Sequence, residues 1–277
     1  MTALSNGAVV SLEASGLGRA MVDENGYGYF FDTGAPYTLL FNPGALAGFA
    51  ERKPARFTVI DGPLDGRTRQ YAAEFYHGAV VELAGYRLRF ERAVSHPVAD
   101  DLLEMVFQDV APGIILGQEM LLEVGFGSLK SRTELFFVQS TCVPNAFELA
   151  IPAGREGPFR TVLIEVGGIG EVPAIIDTGA FTGLSVHNDS LYQEQLPSGH
   201  HTVTVRTIDG AHMEAVAMMS LKFGVGDRDY RTVATVAPSI NGETKVLLGA
   251  YFLLQHGFML AGETLYLGID ELPTCTN

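Results

Sequence analysis

The sequence contains the motif Asp-Thr-Gly-Ala twice, at Asp32–Ala35 and at Asp177–Ala180. Each motif follows a run of apolar, strand-like residues, which predicts that each aspartate lies at a strand end on a tight turn. Glycine permits the backbone path of such a turn, and the threonine hydroxyl can hold it. Two carboxyl groups in close contact share one proton, because like charges raise the pKa of one of them. Such a pair can activate water with one member and protonate a carbonyl with the other.

A predicted β-hairpin leads into each motif. Alternating apolar residues place the first hairpin in Gly18–Asp23 and Tyr27–Phe31, joined at Asn25-Gly26, a dipeptide that favours tight hairpin turns. The second hairpin is predicted in Thr161–Val166 and Val172–Ile176, joined by a glycine-rich turn. The two aspartates therefore occupy equivalent places in two similar segments.

Two further motifs recur in the same order. Ile60-Asp61-Gly62 and Ile208-Asp209-Gly210 each predict the tip of a second hairpin, because aspartate before glycine suits a tight turn. Ile114-Ile115-Leu116-Gly117 and Val246-Leu247-Leu248-Gly249 are followed at identical offsets by a leucine pair and by Gly-Phe. This pattern predicts a buried strand, a glycine and a short helix. Three matched motifs in one order indicate a duplicated fold.

Length and composition agree with two lobes, which we assign to residues 1–150 and 151–277, with an irregular link near residues 144–158. Hydrophobic residues make up 47% of the chain and charged residues 18%, so it can bury a sizeable core. The net charge of −14, with no cluster of basic residues, disfavours a nucleic-acid partner. No apolar run reaches the length of a membrane-spanning helix, so we expect no membrane span. The N-terminal residues show no signal-peptide pattern, which leaves the compartment open.

Histidines and turn aspartates are weaker candidates for a site. His200, His201 and His212 lie in strand-like sequence without an accompanying cysteine or glutamate pattern. Exposed strand histidines are therefore favoured over a metal site, and we expect no metal and no cofactor. Asp61 and Asp209 are interpreted either as simple turn residues, which is favoured, or as carboxylates that contact a substrate.

These motifs resemble those of the aspartic peptidase superfamily. Its signature is two apolar residues before Asp-Thr-Gly-Ala or Asp-Thr-Gly-Ser, with an apolar-apolar-Gly segment later in each lobe. The short lobes and the alanine after glycine are more similar to retropepsins than to pepsins, and bacterial chains with two fused retropepsin-like lobes are similar over nearly the whole length. The resemblance implies an all-β acid-protease fold, with two pseudo-two-fold related β-barrel-like lobes, few short helices and a central cleft.

The resemblance also implies a role for each repeated residue. Asp32 and Asp177 would form the catalytic dyad of an aspartic endopeptidase that acts on a peptide or protein substrate. Both aspartates lie on one chain, so a monomer would supply the whole site. The supporting residues would be the interlocking Thr33 and Thr178 and the turn-shaping Gly34 and Gly179; the substrate-binding and flap residues would be Ile60, Asp61, Gly62, Ile208, Asp209, Gly210, Ala35 and Ala180.

Departures from the family pattern keep a second function open. Retropepsins usually carry an acidic residue directly after Asp-Thr-Gly-Ala that grips the substrate backbone, and here Pro36 and Phe181 stand in its place. The tyrosine-containing flap signature of pepsins is also missing. The alternative function is a peptide-binding protein that has a protease fold but weak or no turnover. The apolar flanks Phe31, Pro36, Phe181 and Leu184 favour hydrophobic substrate side chains.

The two cysteines of the chain, Cys142 and Cys275, occupy near-equivalent places at the ends of the two lobes. Equivalent chain ends can approach each other near a two-fold axis, so we predict a Cys142–Cys275 disulfide that ties the lobes together. Two free thiols in a reducing compartment are the alternative. The disulfide favours a periplasmic or other extracytoplasmic location, and the cytoplasm is the alternative.

Overall fold

The computed structural model describes residues 10–12, 21–22, 25–61, 67–83, 86–95, 107, 110–118, 124–131, 135–195, 202–206, 212–239 and 242–274. Most of them lie in β-strands, which confirms the predicted all-β fold. In chain order the strands are β1 (Val10–Leu12), β2 (Met21–Val22), β3 (Tyr27–Phe31), β4 (Leu39–Leu40), β5 (Glu51–Asp61), β6 (Arg67–Leu83), β7 (Tyr86–Ser95), β8 (Ala111–Leu116), β9 (Val124–Ser128), β10 (Leu135–Gln139), β11 (Leu149–Pro152), β12 (Gly154–Glu156), β13 (Phe159–Val166), β14 (Gly170–Asp177), β15 (Leu184–His187), β16 (Thr202–Arg206), β17 (His212–Val225), β18 (Arg228–Ala237), β19 (Lys245–Gly249), β20 (Phe258–Ala261) and β21 (Thr264–Leu267). The helices of the described part are a 3-10 turn (Pro43–Ala45), α1 (Asp189–Gln195) and α2 (Ala250–His256).

Seven strands form an N-terminal sheet, in the order β2-β3-β8-β4-β7-β6-β5. The central strands β3 and β8 run parallel, and β4 lies between β8 and β7. Both central strands end in four consecutive buried residues, because a strand covered on both faces needs an almost continuous apolar sequence. The antiparallel pairing of β2 with β3 confirms the first predicted hairpin, whose turn contains Gly26 at a φ of +85°.

Eight strands form a C-terminal sheet, in the order β12-β13-β14-β19-β15-β18-β17-β16, and β13 also pairs with β17. Here β14 runs parallel to β19, and β15 lies between β19 and β18. This repeats the arrangement of β3, β8, β4 and β7 in the N-terminal sheet. The duplication predicted from the sequence is therefore present in the topology, and the antiparallel pairing of β13 with β14 confirms the second hairpin.

A third sheet joins the two halves of the chain, in the order β1-β10-β9-β20-β21-β11. Its central contact is the antiparallel pairing of β9 with β20, where the rings of Phe126 and Phe258 meet edge to face with centroids 5.6 Å apart. Gly127 is required in this contact, because a Cβ would clash with the carbonyl oxygen of Phe258. The lobe division predicted at residues 150 and 151 falls within β11 of this sheet and stays a prediction.

The remaining structural predictions have mixed outcomes. The short helix expected after Gly249 is α2, whereas the residues predicted to form the matching helix after Gly117 lie mostly outside the described ones. The link near residues 144–158, expected to be irregular, contains the short strands β11 and β12, so that expectation was wrong. In the part of the chain that the structure describes, no helix is both long enough and apolar enough to cross a membrane.

Candidate active site

Asp32 and Asp177 lie at the carboxyl ends of equivalent strands. Asp32 directly follows β3, and its N–H donates to the carbonyl oxygen of Leu116 at 3.0 Å. Asp177 is the last residue of β14 and pairs with Gly249 in the parallel ladder of β14 and β19. The strand that carries the third repeated motif therefore positions each aspartate: β8 positions Asp32, and β19 positions Asp177.

The turn after each aspartate fixes one oxygen of its carboxyl group. Oδ1 of Asp32 accepts hydrogen bonds from the N–H groups of Gly34 at 2.8 Å and Ala35 at 3.1 Å. Oδ1 of Asp177 accepts the equivalent bonds from Gly179 at 2.9 Å and Ala180 at 3.1 Å. Because Oδ1 of each group is held by two backbone donors, the other oxygen is left to contact the opposite carboxyl group or a ligand.

The structure brings the two carboxyl groups close together, each against the turn of the opposite lobe. A Cβ on Gly34 would lie 2.5 Å from Cγ of Asp177, and a Cβ on Gly179 would lie 2.5 Å from Cγ of Asp32. Non-bonded carbon atoms do not approach so closely. Glycine at these two positions is therefore what allows the turns to meet face to face.

Burial and proximity shift the titration of this pair. Burial raises the pKa of Asp32 well above its ordinary value, and the charge of Asp177 raises it further. Burial also raises the pKa of Asp177, although hydrogen bonds from Asp32 and from backbone N–H groups lower it in part. Carboxyl groups in such contact titrate as a unit, so the pair keeps one proton at pH values where an exposed aspartate is ionised.

Thr33 and Thr178 interlock beneath the carboxyl pair. The Thr33 hydroxyl donates to the carbonyl oxygen of Ile176 at 2.7 Å, and the Thr178 hydroxyl donates to that of Phe31 at 2.9 Å. Each hydroxyl also accepts the N–H of the opposite threonine, at 3.1 Å for Thr33 N and 2.9 Å for Thr178 N. All of these groups are buried, so each lobe satisfies the backbone of the other at the base of the site.

The third repeated motif packs directly against both turns. A Cβ on Gly117 would clash with the carbonyl oxygen of Tyr37, and a Cβ on Gly249 would clash with that of Thr182. The sequence pattern predicted a strand, glycine and helix here but no contact with the site. The recurrence of this glycine at the end of the apolar strand in both lobes was the signal for that contact, because close backbone approach is a common reason for glycine.

Of the apolar flanks predicted to favour hydrophobic side chains, two face the protein interior. Phe31 and Leu184 belong to the main hydrophobic core. Pro36 is partly exposed and Phe181 is 49% exposed, and the Phe181 ring lies 6.5 Å from the ring of Phe30. Phe30 was missed from sequence, although strand alternation places it on the same face as the aspartate two residues later.

The predicted flap residues are only partly within the described structure. Ile60 and Asp61 end β5, where their backbones pair with Thr68 and Arg67 of β6, and Gly62 lies outside the described residues. Ile208, Asp209 and Gly210 lie outside the described residues as well, between β16 and β17, whose ends pair at Arg206 and His212. Both segments therefore connect the strands of antiparallel hairpins, as predicted, and their contact with a substrate stays a prediction.

The histidine and cysteine predictions have separate outcomes. His200 and His201 lie outside the described residues, and His212 begins β17; no group of three or more potential metal ligands occurs within the described ranges. Cys142 is buried and disulfide-bonded. The other cysteine of the sequence, Cys275, lies outside the described residues.

Comparison with known proteins supports the fold. No protein-family model matches the chain, and no curated protein matches its sequence. The structure is similar to the aspartic proteinase from Irpex lacteus, with a TM-score of 0.56, 12% sequence identity, and coverage of 97% of this chain and 98% of that chain. A retropepsin-like aspartic protease from Rickettsia conorii covers 43% of this chain and 88% of its own, with 18% identity and a TM-score of 0.32.

The full-length similarity shows that this chain has the two-lobed aspartic proteinase fold. This confirms the fold class that the repeated motifs implied. The closer likeness to retropepsins than to pepsins stays a prediction, because the retropepsin-like match covers less than half of the chain.

Proposed function

We propose that this protein is an aspartic endopeptidase in which Asp32 and Asp177 form the catalytic dyad. The observation that carries the proposal is the pair of carboxyl groups placed face to face by matching turns from two lobes. Aspartates that served only to terminate two strands would not need to contact each other. They would also not need glycines at the positions where a Cβ would clash with the opposite carboxyl group. The buried threonine interlock beneath the pair supports the same conclusion, because it fixes the distance between the two turns.

The chemistry follows from one shared proton. The ionised carboxylate removes a proton from a water molecule, whose oxygen attacks the carbonyl carbon of the scissile peptide bond. The protonated carboxyl group donates its proton to the carbonyl oxygen, which gives a neutral tetrahedral intermediate. When the carbon–nitrogen bond breaks, the carboxyl group that took the proton from water gives it to the departing amine nitrogen. At the same time one hydroxyl group of the intermediate gives its proton to the other carboxylate. One proton remains on the pair, so the dyad is ready for another cycle.

Because one chain supplies both aspartates, we propose that a monomer is active. This contrasts with sites that need two identical subunits to bring two carboxyl groups together. Sedimentation of the purified protein, combined with an activity assay over a 100-fold dilution series, tests the point. Specific activity that is constant on dilution supports a monomer, and activity that falls with dilution contradicts it.

The test of the function is cleavage of a peptide library between pH 3 and 8, with product masses as the readout. Asp32→Asn and Asp177→Asn should each lower kcat by about 10²–10⁴-fold, the range typical of a lost acid or base. Asp229→Asn is the matched control, because Asp229 is an exposed aspartate paired with Lys222 on the far strands β17 and β18. Activity that survives Asp32→Asn contradicts the mechanism, and tight peptide binding without cleavage favours the peptide-binding alternative.

We propose an extracytoplasmic location for the protein. The disulfide at Cys142 supports it, because disulfides persist mainly in oxidising compartments. Fractionation of source cells, followed by thiol titration of the protein without reductant, tests this. Protein recovered from the cytoplasm with two reactive thiols contradicts the proposal.

A further inference from the structure

A row of five side chains crosses the N-terminal sheet beside Asp32. The strand register aligns Phe30, Ile115, Leu39, Val94 and Phe75 on the adjacent strands β3, β8, β4, β7 and β6. All five are apolar and pack in one cluster. On the central strands β3 and β8, the neighbours of Phe30 and Ile115 belong to the main core, so this row lies on the opposite face of the sheet.

The equivalent row crosses the C-terminal sheet beside Asp177. Its register aligns Ile175, Leu247, Ser185, Thr235 and Met218 on β14, β19, β15, β18 and β17. The residues that alternate with them on the central strands are fully buried in the main core. The row therefore lies on the sheet face that Asp177 shares with Ile175, two residues before it.

The two rows differ in chemistry and in cover. Where the N-terminal row has Leu39 and Val94, the C-terminal row has the hydroxyl residues Ser185 and Thr235. The first four residues of the N-terminal row are buried and pack with Phe107. In the C-terminal row Met218 is 37% exposed, and Ile175, Leu247 and Ser185 are each partly exposed. A pseudo-symmetric site thus has one closed apolar wall and one open wall that carries hydroxyl groups.

The hydroxyl groups of the C-terminal wall form a short chain. Thr235 donates to Oγ of Ser185 at 3.0 Å, and Ser185 lies 3.0 Å from Oγ1 of Thr182, where either atom can donate. Three hydroxyl hydrogens serve two hydrogen bonds among the described residues. The remaining hydrogen belongs to whichever of Ser185 and Thr182 does not donate in the second bond. These two are the partly exposed members of the chain, whereas Thr235 is buried.

Thr182 places one end of this hydroxyl chain at the seam between the lobes. It directly follows Phe181, whose exposed ring contacts Phe30, the first residue of the N-terminal row. Phe181 therefore separates the apolar wall from the hydroxyl wall. A donor at this position, with its own oxygen lone pairs, fits an uncharged polar side chain of a bound peptide.

We propose that the C-terminal half of the cleft recognises a serine, threonine, asparagine or glutamine side chain next to the bond that the dyad attacks. This inference rests on the proposed peptidase function and adds its substrate class. Charged side chains fit poorly, because the described residues of the row offer no opposite charge to replace lost hydration. Aliphatic side chains leave the spare hydroxyl hydrogen without a partner.

The experiment uses reduced-amide peptides, in which –CH2–NH– replaces the central peptide bond, and their normal-amide parents. Pairs differ only in threonine against valine, or asparagine against leucine, at each residue flanking the central bond. We expect the polar member to bind about 5–10-fold more tightly at one of the two positions, which corresponds to one net hydrogen bond. The double variant Thr182→Val/Ser185→Ala, which removes both candidates for the spare hydrogen, should abolish that preference.

Thr232→Val is the matched control, because Thr232 is a buried threonine of β18 on the opposite face from Thr235, and its hydroxyl has no hydrogen-bond partner in the described structure. It should leave the preference intact. Equal binding of both members at both positions overturns the proposal, and so does a preference that survives the double variant Thr182→Val/Ser185→Ala. Absence of binding by every peptide overturns both the proposal and the proposed function. Selective binding of the reduced peptides without cleavage of the parent amides upholds the subsite and overturns the peptidase function alone.

Discussion

The hydroxyl of Thr33 and the hydroxyl of Thr178 each donate to the carbonyl oxygen of the residue that precedes the opposite aspartate. The backbone of one lobe at the site is therefore completed by a side chain of the other. A lobe on its own would leave these buried carbonyl and N–H groups without partners. The carboxyl pair and the lobe interface are consequently parts of one structure.

Removing this interlock should destabilise the whole protein. Thr33→Val leaves the carbonyl oxygen of Ile176 and the N–H of Thr178 buried without partners, and we expect a loss of about 2–4 kcal/mol in the free energy of unfolding. Urea unfolding measures the change. Thr33→Ser keeps the hydroxyl and should lose less than half as much. Equal losses for the two variants would show that the hydroxyl does not matter.

The motif glycines should be essential for activity. Gly34→Ala places a Cβ within 2.5 Å of the Asp177 carboxyl group, so the turns must separate and kcat should fall by more than about 10²-fold. Gly48→Ala is the control, because a Cβ there has no neighbour within 4 Å. Wild-type kcat in Gly34→Ala would contradict the face-to-face arrangement.

The raised pKa values of Asp32 and Asp177 predict how stability depends on pH. Between the pKa of an exposed aspartate and the raised folded values, the folded state binds more protons than the unfolded state. The stability contributed by the protonated pair is thus full below the unfolded pKa and is lost as pH rises through the folded pKa. In that window the free energy of unfolding of the wild type should fall by up to about 1.4 kcal/mol per pH unit relative to that of Asp32→Asn, which cannot bind the shared proton.

Urea unfolding of the wild type and Asp32→Asn from pH 4 to pH 8 measures this difference. Asp229→Asn serves as the control for loss of a carboxylate outside the site. The difference in free energy of unfolding between this variant and the wild type should not change with pH in the way expected for Asp32→Asn. A gap between wild type and Asp32→Asn that is constant with pH would mean that the pair does not hold an extra proton.

Phe181 should contribute to substrate binding more than to stability. Its ring is half exposed beside Phe30, so Phe181→Ala should raise KM for apolar peptides about 5–10-fold and change kcat little. Phe49→Ala is the matched control, since Phe49 is 47% exposed but contacts Tyr76 instead. A lower kcat with unchanged KM would contradict a binding role.

Much of the site was predictable because duplication supplies two observations of each motif. A single Asp-Thr-Gly is compatible with any turn, but its recurrence before an apolar-apolar-Gly segment indicated two halves of one site. The pairing of the carboxyl groups and the threonine interlock follow from that pattern together with the family resemblance. Local sequence therefore sufficed wherever each lobe repeats the other.

The predictions failed where the position of a side chain depends on its strand face or on a distant partner. Phe31 precedes Asp32 directly and so points to the opposite face, into the core. The pairing of β9 with β20 across the lobes has no local signal, because alternating apolar residues predict a strand but not its neighbour. The difference between Leu39 and Ser185 emerged only from the strand register.

The sheet shared between the lobes has a consequence for biosynthesis. Both aspartates leave the ribosome well before β20 and β21, the strands that pair with β9 and β11. Until those late strands are synthesised, β9 lacks β20 and β11 lacks β21 as neighbours, and this sheet does not yet hold the lobes together. A nascent chain that already contains Asp177 but not yet β20 and β21 therefore has both carboxyl groups without the sheet that joins its two lobes.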